Sequence, residues 1–377
     1  MSICRALAET IPGWPATIRE RTDYCIGVLR GEGIGPEVLD VALQVLEAAC
    51  EDTPYRFDVR TGGAIGRVAL RASGLCLTTE VVDFCEDVFQ RGGAVLCGPA
   101  GGRFVYELRR RFDLFCKLVP LRPLIESPDF GVIRSEALRQ VDILVVRENT
   151  GGVYLGDWRE RTEGGRPIAS HTFEYSSDQV ERILRVAAGL AGSRRQRLTV
   201  AVKSEGIPTI SRLWCRRLEE LAQEWGVSCD VLQIDNLAYQ LIQSARQFDV
   251  VVAPNMLGDI LADVGALLLG SRGMSFSGNF GDERRAVYQT AHGAAYDLEG
   301  HDRANPVAQV LSVAMLVRMS FGLEQLAVRI EDAVARTLRE GWRTPDVASP
   351  NSRVVGTREL GQQIVAAIRE CKAEATA

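Results

Sequence analysis

The stretch Gln247-Phe-Asp-Val-Val-Val-Ala253-Pro-Asn-Met-Leu-Gly-Asp259-Ile-Leu-Ala-Asp263 decides the fold class of this chain. Phe248 to Ala253 is a short, β-branched run of the kind that forms a buried strand, and from Asn255 onward the apolar and acidic residues alternate at helical spacing. Asp259 and Asp263 are four residues apart, so they share one helix face, where two ionised carboxylates repel each other unless a cation compensates. A hard divalent ion is the simplest compensation; a solvated acidic helix face is the bland alternative.

The same strand-then-helix alternation runs outward in both directions: Tyr24 to Leu29 followed by Pro36 to Cys50, then Ala94 to Cys97, Asp142 to Val146 and Leu198 to Val202. This predicts an α/β fold with a largely parallel sheet. Ligands gather at the carboxyl ends of such strands. Here those ends carry Gly31 to Gly35, Gly98 to Gly102, Arg147-Glu-Asn, Lys203 and Asn255. The Gly31-Glu-Gly-Ile-Gly35-Pro36 segment lacks the third glycine at dinucleotide spacing, and taken alone it reads as a tight turn with Pro36 at the first helical position.

Composition fits a protein large enough for two domains: 377 residues, 46% hydrophobic and 25% charged. A net charge of -5 without a long basic block gives no electrostatic case for nucleic acid or an anionic membrane surface, which leaves small molecules as partners. Ten cysteines, from Cys4 to Cys371, show no C-x-x-C spacing and read as reduced, packed thiols of a cytoplasmic protein. Residues 1–20 hold no continuous apolar segment and read as a surface extension; Arg159 to Arg166, broken by Gly164-Gly165, reads as a polar loop or arm.

Taken together, Gly31 to Glu37, Leu108-Arg109-Arg-Arg-Phe-Asp113, Asp142 to Tyr154, Gln247 to Asp263 and His292 to Pro306 resemble the isocitrate and isopropylmalate dehydrogenase family, the metal-dependent β-decarboxylating dehydrogenases. The resemblance runs from about Tyr24 to Asp346. It implies an isopropylmalate-dehydrogenase-like fold of two α/β domains sharing one mixed sheet, not a Rossmann fold. It also implies a cleft between residues 1–114 plus 270–377, the larger, cofactor-binding domain, and residues 115–269, the smaller, dimer-forming one. The reaction it implies is oxidation of a C2 hydroxyl, loss of a β-carboxylate as CO2 and protonation of the enol, in a homodimer with shared active sites.

By that resemblance Lys203 is the base and Tyr154 the proton donor, and Arg109 and Arg147 grip substrate carboxylates through bidentate guanidinium forks. Asp259 and Asp263 hold Mg2+ or Mn2+, with Asp235 as a third ligand from the partner subunit; oxygen ligands suit such ions. His292, Gly293 and Asn305 embrace the adenosine portion of the cofactor. Asp297 with Leu298 favours NAD over NADP, since a carboxylate accepts from ribose hydroxyls and repels a 2'-phosphate.

Three positions depart from the family pattern. Val119 stands where a third substrate-binding arginine is usual; Lys117, two residues earlier on the same strand face, is one candidate to replace it and Arg122 a second, with packing or a surface role as the bland reading of the latter. Glu205 replaces an asparagine after the catalytic lysine. The loop that reads the substrate's variable group is Gly101-Gly102-Arg103-Phe104-Val105-Tyr106, in which Arg103 suggests an anionic tail. These departures argue for a 3-substituted (2R)-malate-type acid with a non-standard substituent, as in a specialised biosynthetic pathway. The alternatives are a tartrate or D-malate type dehydrogenase, in which Arg103 faces water or a domain partner, and a non-catalytic regulatory subunit of the same family.

Overall fold

The structure, a computed structural model, describes residues 3–125 and 130–376, with side chains as far as residue 370. Twelve strands carry its architecture: β1 (Asp23–Leu29), β2 (Arg56–Thr61), β3 (Ala94–Cys97), β4 (Cys116–Leu121), β5 (Ile143–Glu148), β6 (Asp157–Glu163), β7 (Arg166–Thr172), β8 (Arg197–Val202), β9 (Ser228–Gln233), β10 (Val250–Ala253), β11 (Phe276–Phe280) and β12 (Ala286–Thr290). Ten of them form one sheet in the order β2-β1-β3-β12-β11-β4-β5-β10-β8-β9. Pairing is parallel at both wings and antiparallel in the middle, where β11 meets both β12 and β4 and β4 meets β5. The sheet is mixed, and its order is not that of a Rossmann fold.

The strands read from sequence are present at nearly the expected bounds. β3, β5 and β10 are buried along their whole length, which is why they appear as continuous apolar runs rather than alternating ones. Helices cover the sheet; the one over Val307–Phe321 is buried on every side except at Arg318, and its sequence is correspondingly apolar all round. The first strand leads into the helix Gly35–Cys50, which carries Pro36 in its first turn as the sequence predicts.

Two expectations about the surface are revised. The N-terminal segment is not a loose extension: Ile3–Thr10 is a helix packed on the helix Ser177–Gly192, and Ala6, Leu7, Ile11 and Trp14 are buried. Trp14 donates its indole N–H to the Gly281 carbonyl at 2.8 Å and meets Phe280 edge to face. The charged segment around Arg159 to Arg166 is a regular antiparallel hairpin, β6–β7, turned by Gly164-Gly165 and largely exposed. The nine cysteines with described side chains are free thiols, five of them buried; Cys371 lies outside the described side chains.

Candidate active site

The helix Asn255–Gly265 starts directly after β10, and its first residue fixes its position. Asn255 is fully buried; its amide donates to the Gly151 carbonyl at 2.8 Å, its backbone N–H donates to the Tyr175 hydroxyl at 2.9 Å, and its side-chain oxygen accepts from Arg147 Nε at 3.0 Å and Nη2 at 2.7 Å. One turn on, Asp259 pairs with Arg147 Nη1 and accepts from the Tyr154 hydroxyl at 2.9 Å. Burial raises the Asp259 carboxyl, but Arg147, Lys117, the Tyr154 hydrogen bond and Arg109 outweigh it and hold the group below the usual carboxylate range. Burial and the adjacent carboxylate push the Tyr154 phenol upward, so it stays protonated at neutral pH and is available as a donor.

Tyr154 is delivered by the turn after β5. Glu148, fully buried, accepts from the Thr150 N–H, the Thr150 hydroxyl and the Gly151 N–H, all at 2.9 Å. Gly152 follows at φ +76°, where a Cβ would lie 2.4 Å from the Tyr175 hydroxyl, so no other residue fits. The short 3-10 turn Val153–Leu155 then aims the phenol at Asp259.

Three cations share this site. Arg147 (1% exposed), Arg109 (4%) and Lys117 (3%) are buried. Lys117 is the cross-strand neighbour of Arg147 on β5, and Arg109 comes from the helix Phe104–Arg111. Burial, then Arg147, bring Arg109 down to about 9, still cationic at neutral pH; burial, with Arg109 and Arg147 beside it, holds Lys117 well below the usual ammonium range. Asp263, one further turn along, is half exposed and pairs with Arg272 at 3.0 Å; burial and Asp259 raise its carboxyl.

Arg103 is engaged rather than free. Its guanidinium lies 4.5 Å from the Trp158 ring and 5.3 Å from the Tyr106 ring, and it donates to the Tyr154 carbonyl at 3.0 Å. Tyr106 in turn packs on Tyr154, with ring centroids 5.1 Å apart. Val119 is fully buried in the core.

Lys203 and Asp235 pair with each other: Lys203 Nζ lies 3.1 Å from Asp235 Oδ2, both side chains are exposed to solvent, and Lys203 lines a pocket with Val153, Met256 and Leu257. No ion pair or hydrogen bond among the described residues joins them to Asp259, Asp263 or Tyr154, and no three acidic, histidine or cysteine side chains converge as a metal site within one chain. Asp259 and Asp263 nonetheless fit a hard divalent ion: they are two oxygen donors on one helix face, each with solvent access, and each carboxylate oxygen of Asp259 keeps a second lone pair.

The expected nucleotide wall lies between the Gly31–Gly35 turn and residues 292–298. Gly33, at φ +58°, would place a Cβ 2.0 Å from the Ala294 carbonyl, and the Ile34 N–H donates to that carbonyl at 3.0 Å, so the two loops touch backbone to backbone. His292 hydrogen bonds with the Gly293 carbonyl through Nδ1, while its Nε2 is buried and unpartnered among the described residues. Gly293 borders open space, and Asp297 is exposed. An orphaned ring nitrogen, an open glycine and an exposed carboxylate fit an adenine nucleotide. Leu298 packs beside Ile34 and Val38. Asn305 is turned inward, donating to Asp346 at 3.1 Å and accepting from the Val307 N–H at 3.0 Å.

The sequence reading assigned no role to Asn255, Glu148 or Glu32. Glu32 accepts from Gly101 N–H at 2.8 Å, Tyr296 hydroxyl at 2.7 Å and Val68 N–H, and so fixes the loop before Arg103. A charged residue between two glycines of a turn was the available signal.

The sequence model of the family described as isocitrate/isopropylmalate dehydrogenase matches residues 25–364. The 3-isopropylmalate dehydrogenase of Gloeobacter violaceus is 38% identical over 362 residues, covering 91% of this chain and 98% of that protein. The 3-isopropylmalate dehydrogenase 1, chloroplastic, of Arabidopsis thaliana is 36% identical over 369 residues, covering 94% and 88%. Among solved structures, isocitrate dehydrogenase from Methylococcus capsulatus superposes with a TM-score of 0.81 at 28% identity, over 92% of this chain and 99% of that one.

Proposed function

This chain belongs to the isocitrate/isopropylmalate dehydrogenase family and is a metal-dependent, NAD-linked decarboxylating dehydrogenase of a hydroxy acid, and from that premise we propose a (2R)-malate-type acid with a non-standard C3 substituent as its substrate. The observation that supports the chemistry is the contact chain Arg147–Asp259–Tyr154, with Asp263 one helical turn away. Asp259 and Asp263, with Asp235 of the other copy, would hold the divalent ion, and the wall of His292, Gly293, Asp297, Leu298 and Asn305 would take NAD. When bound, the ion supplies Lewis-acid polarisation of the C2 oxygen and NAD accepts the hydride.

Arg109 and Arg147 orient the two carboxylates of the malate core. Lys203 takes the hydroxyl proton in its neutral form, which requires its ion pair with Asp235 in the free chain to open; Asp235 is then released to serve as the third oxygen ligand of the other copy's ion. After CO2 leaves, the protonated Tyr154 returns a proton to the enol carbon. Because no ion pair or hydrogen bond among the described residues joins Lys203 and Asp235 to Asp259 in one chain, the complete site in this reading is assembled from two copies, the Lys203–Asp235 pair of one facing the Asp259 cluster of the other. In this reading residues 1–114 with 270–377 and residues 115–269 are the two domains; each supplies five strands of the shared sheet, and the junction is the β11–β4 pair.

The engagement of Arg103 by Trp158, Tyr106 and the Tyr154 carbonyl favours a second reading for the substituent. A small diacid of the D-malate or tartrate type leaves Arg103 free to hold the two sides of the cleft together. NADH formation and CO2 release with NAD and Mn2+, measured over (2R)-malates bearing anionic, aromatic, aliphatic or no C3 substituents, separates the two. Turnover of an anionic or aromatic member supports the first reading, and turnover confined to D-malate or tartrate the second. Silence across the panel despite NAD binding would remove both.

A further inference from the structure

Two of the three cations in the cleft have no contact partner of their own and feel Asp259 only at a distance. Arg147 is satisfied by Asn255 and Asp259, whereas Arg109 and Lys117, each more than nine-tenths buried, make no ion pair and no hydrogen bond among the described residues, and Arg109 Nε is fully enclosed. Arg109 has only the face of Tyr106 at 5.9 Å. A cation without a counter-charge is costly inside a protein, more so beside two others. A fold built only for stability would place an apolar side chain at position 117, as it does at the flanking Cys116, Leu118 and Val119, all fully buried.

We propose that Lys117 and Arg109 form an anion subsite that takes one carboxylate, or an isosteric oxyanion, of the substrate, with Lys117 as the residue that sets specificity for it. The position supports this. Lys117 sits between Arg147 on β5 and Asn279 on β11, at the central seam of the sheet where its two halves meet. A guanidinium there would demand a planar, bidentate partner. An ammonium on a flexible stem is a point charge with three rotatable donors, and it tolerates an oxyanion of different shape or placement. The substrate acid group is thus read by one fork and one point charge. The inference rests on the reading of this cleft as a hydroxy-acid site, and it deepens that reading by naming which group of the acid is selected.

The decisive experiment needs neither NAD nor metal. Thermal unfolding of the full chain is compared in chloride and in malonate, succinate, tricarballylate or phosphate at equal ionic strength, for wild type, Lys117→Met, Lys117→Gln and Lys117→Arg. An anion that binds only the folded protein raises Tm in proportion to the logarithm of its concentration. In chloride, the Met and Gln variants should melt no lower than wild type, because an uncompensated charge has been removed. With at least one of the four anions, wild type and Lys117→Arg should gain Tm while Met and Gln lose most of that gain. Destabilisation of both Met and Gln in chloride would show that the ammonium has a structural partner and overturn the proposal. So would the absence of any wild-type gain, or equal gains in wild type and the Met and Gln variants. If a turned-over substrate is found, Lys117→Met should raise its KM by about tenfold or more with a smaller change in kcat, the pattern of lost binding. Failure of the turnover panel alone would strike the proposed substrates and leave the anion subsite standing.

Discussion

Replacing Asp259 by asparagine separates the contacts the structure shows for that side chain from the metal-binding role proposed for it. In the free protein it closes the Arg147 ion pair and accepts the Tyr154 hydroxyl at 2.9 Å. The amide keeps the shape but can accept from only one of those donors, and its NH2 faces the other. At contact distance and an effective dielectric constant near 20 the lost pair would be worth about 4 kcal/mol. Asp259 is 39% exposed on its side chain, and Arg147 keeps Asn255, so solvent screening reduces the expected loss to roughly 1–3 kcal/mol. For a chain of 377 residues that is a Tm decrease of about 1–4 °C. The sign with pH follows from the lowered carboxyl: its contribution is fully present above the ordinary carboxylate pKa and is lost as pH falls through the depressed value. The gap between wild type and Asp259→Asn should therefore be flat through the neutral range and close only below about pH 4. With Mn2+ added, the missing negative charge should weaken apparent metal affinity by about tenfold or more, or 1.4 kcal/mol upward. Differential scanning fluorimetry across pH, with and without a Mn2+ titration, reads both effects. An unchanged metal titration with the expected Tm loss would make Asp259 a purely structural partner of Arg147 and refute the ligand assignment.

Tyr154→Phe should lower kcat by about 10²–10⁴-fold with little change in KM or Tm, since a positioned proton donor acts in the transition state; a fall in KM-dependent steps alone would contradict its role. Inactive Lys203→Met and Asp259→Asn chains, unfolded and refolded together, should recover about a quarter of wild-type activity, because half the dimers are mixed and each mixed dimer has one intact site. No recovery, with mixed dimers demonstrated, would mean that each chain builds its own site. A double-mutant cycle on Arg103 and Trp158, read by chemical denaturation, should give a coupling of about 0.5–1 kcal/mol; zero coupling would remove the stacking as a link between the two sides of the cleft.

How much of this was legible beforehand depends on the range of the interaction. Strand positions, the helix after Ala253 and the shared face of Asp259 and Asp263 follow from local periodicity, and all stand where the sequence puts them. The N-terminal helix left a local signal as well: Ile3, Ala6 and Leu7 fall at helical i, i+3, i+4 spacing, but the mixed charges around them masked it. The antiparallel seam of β11 on β4 left none, because it joins segments about 160 residues apart through backbone groups that carry no side-chain signature. Arg103 is the instructive case. Its charge suggested a ligand, yet a guanidinium is as well suited to an aromatic face, and nothing local to Gly102 or Phe104 announces Trp158.

On the proposed roles, the pairing of Arg147 with Asp259 also couples the two ligands of the cleft. In the free protein the carboxylate proposed to face a divalent ion is engaged with the guanidinium proposed to face a substrate carboxylate. A metal ion that draws charge from Asp259 weakens its hold on Arg147 and frees that side chain for an anion; an anion on Arg147 frees Asp259 in the same way. Binding free energies are reciprocal, so each ligand must raise the affinity of the other by the same factor. Arg109 and Lys117, already without partners, add to the attraction for the acid but take no part in the exchange. On these proposed roles a Mn2+ titration should give a tighter apparent affinity in the presence of a malate-type acid than in chloride, and by the same factor the acid should bind more tightly with Mn2+; equal affinities would show that the pair does not couple the two ligands.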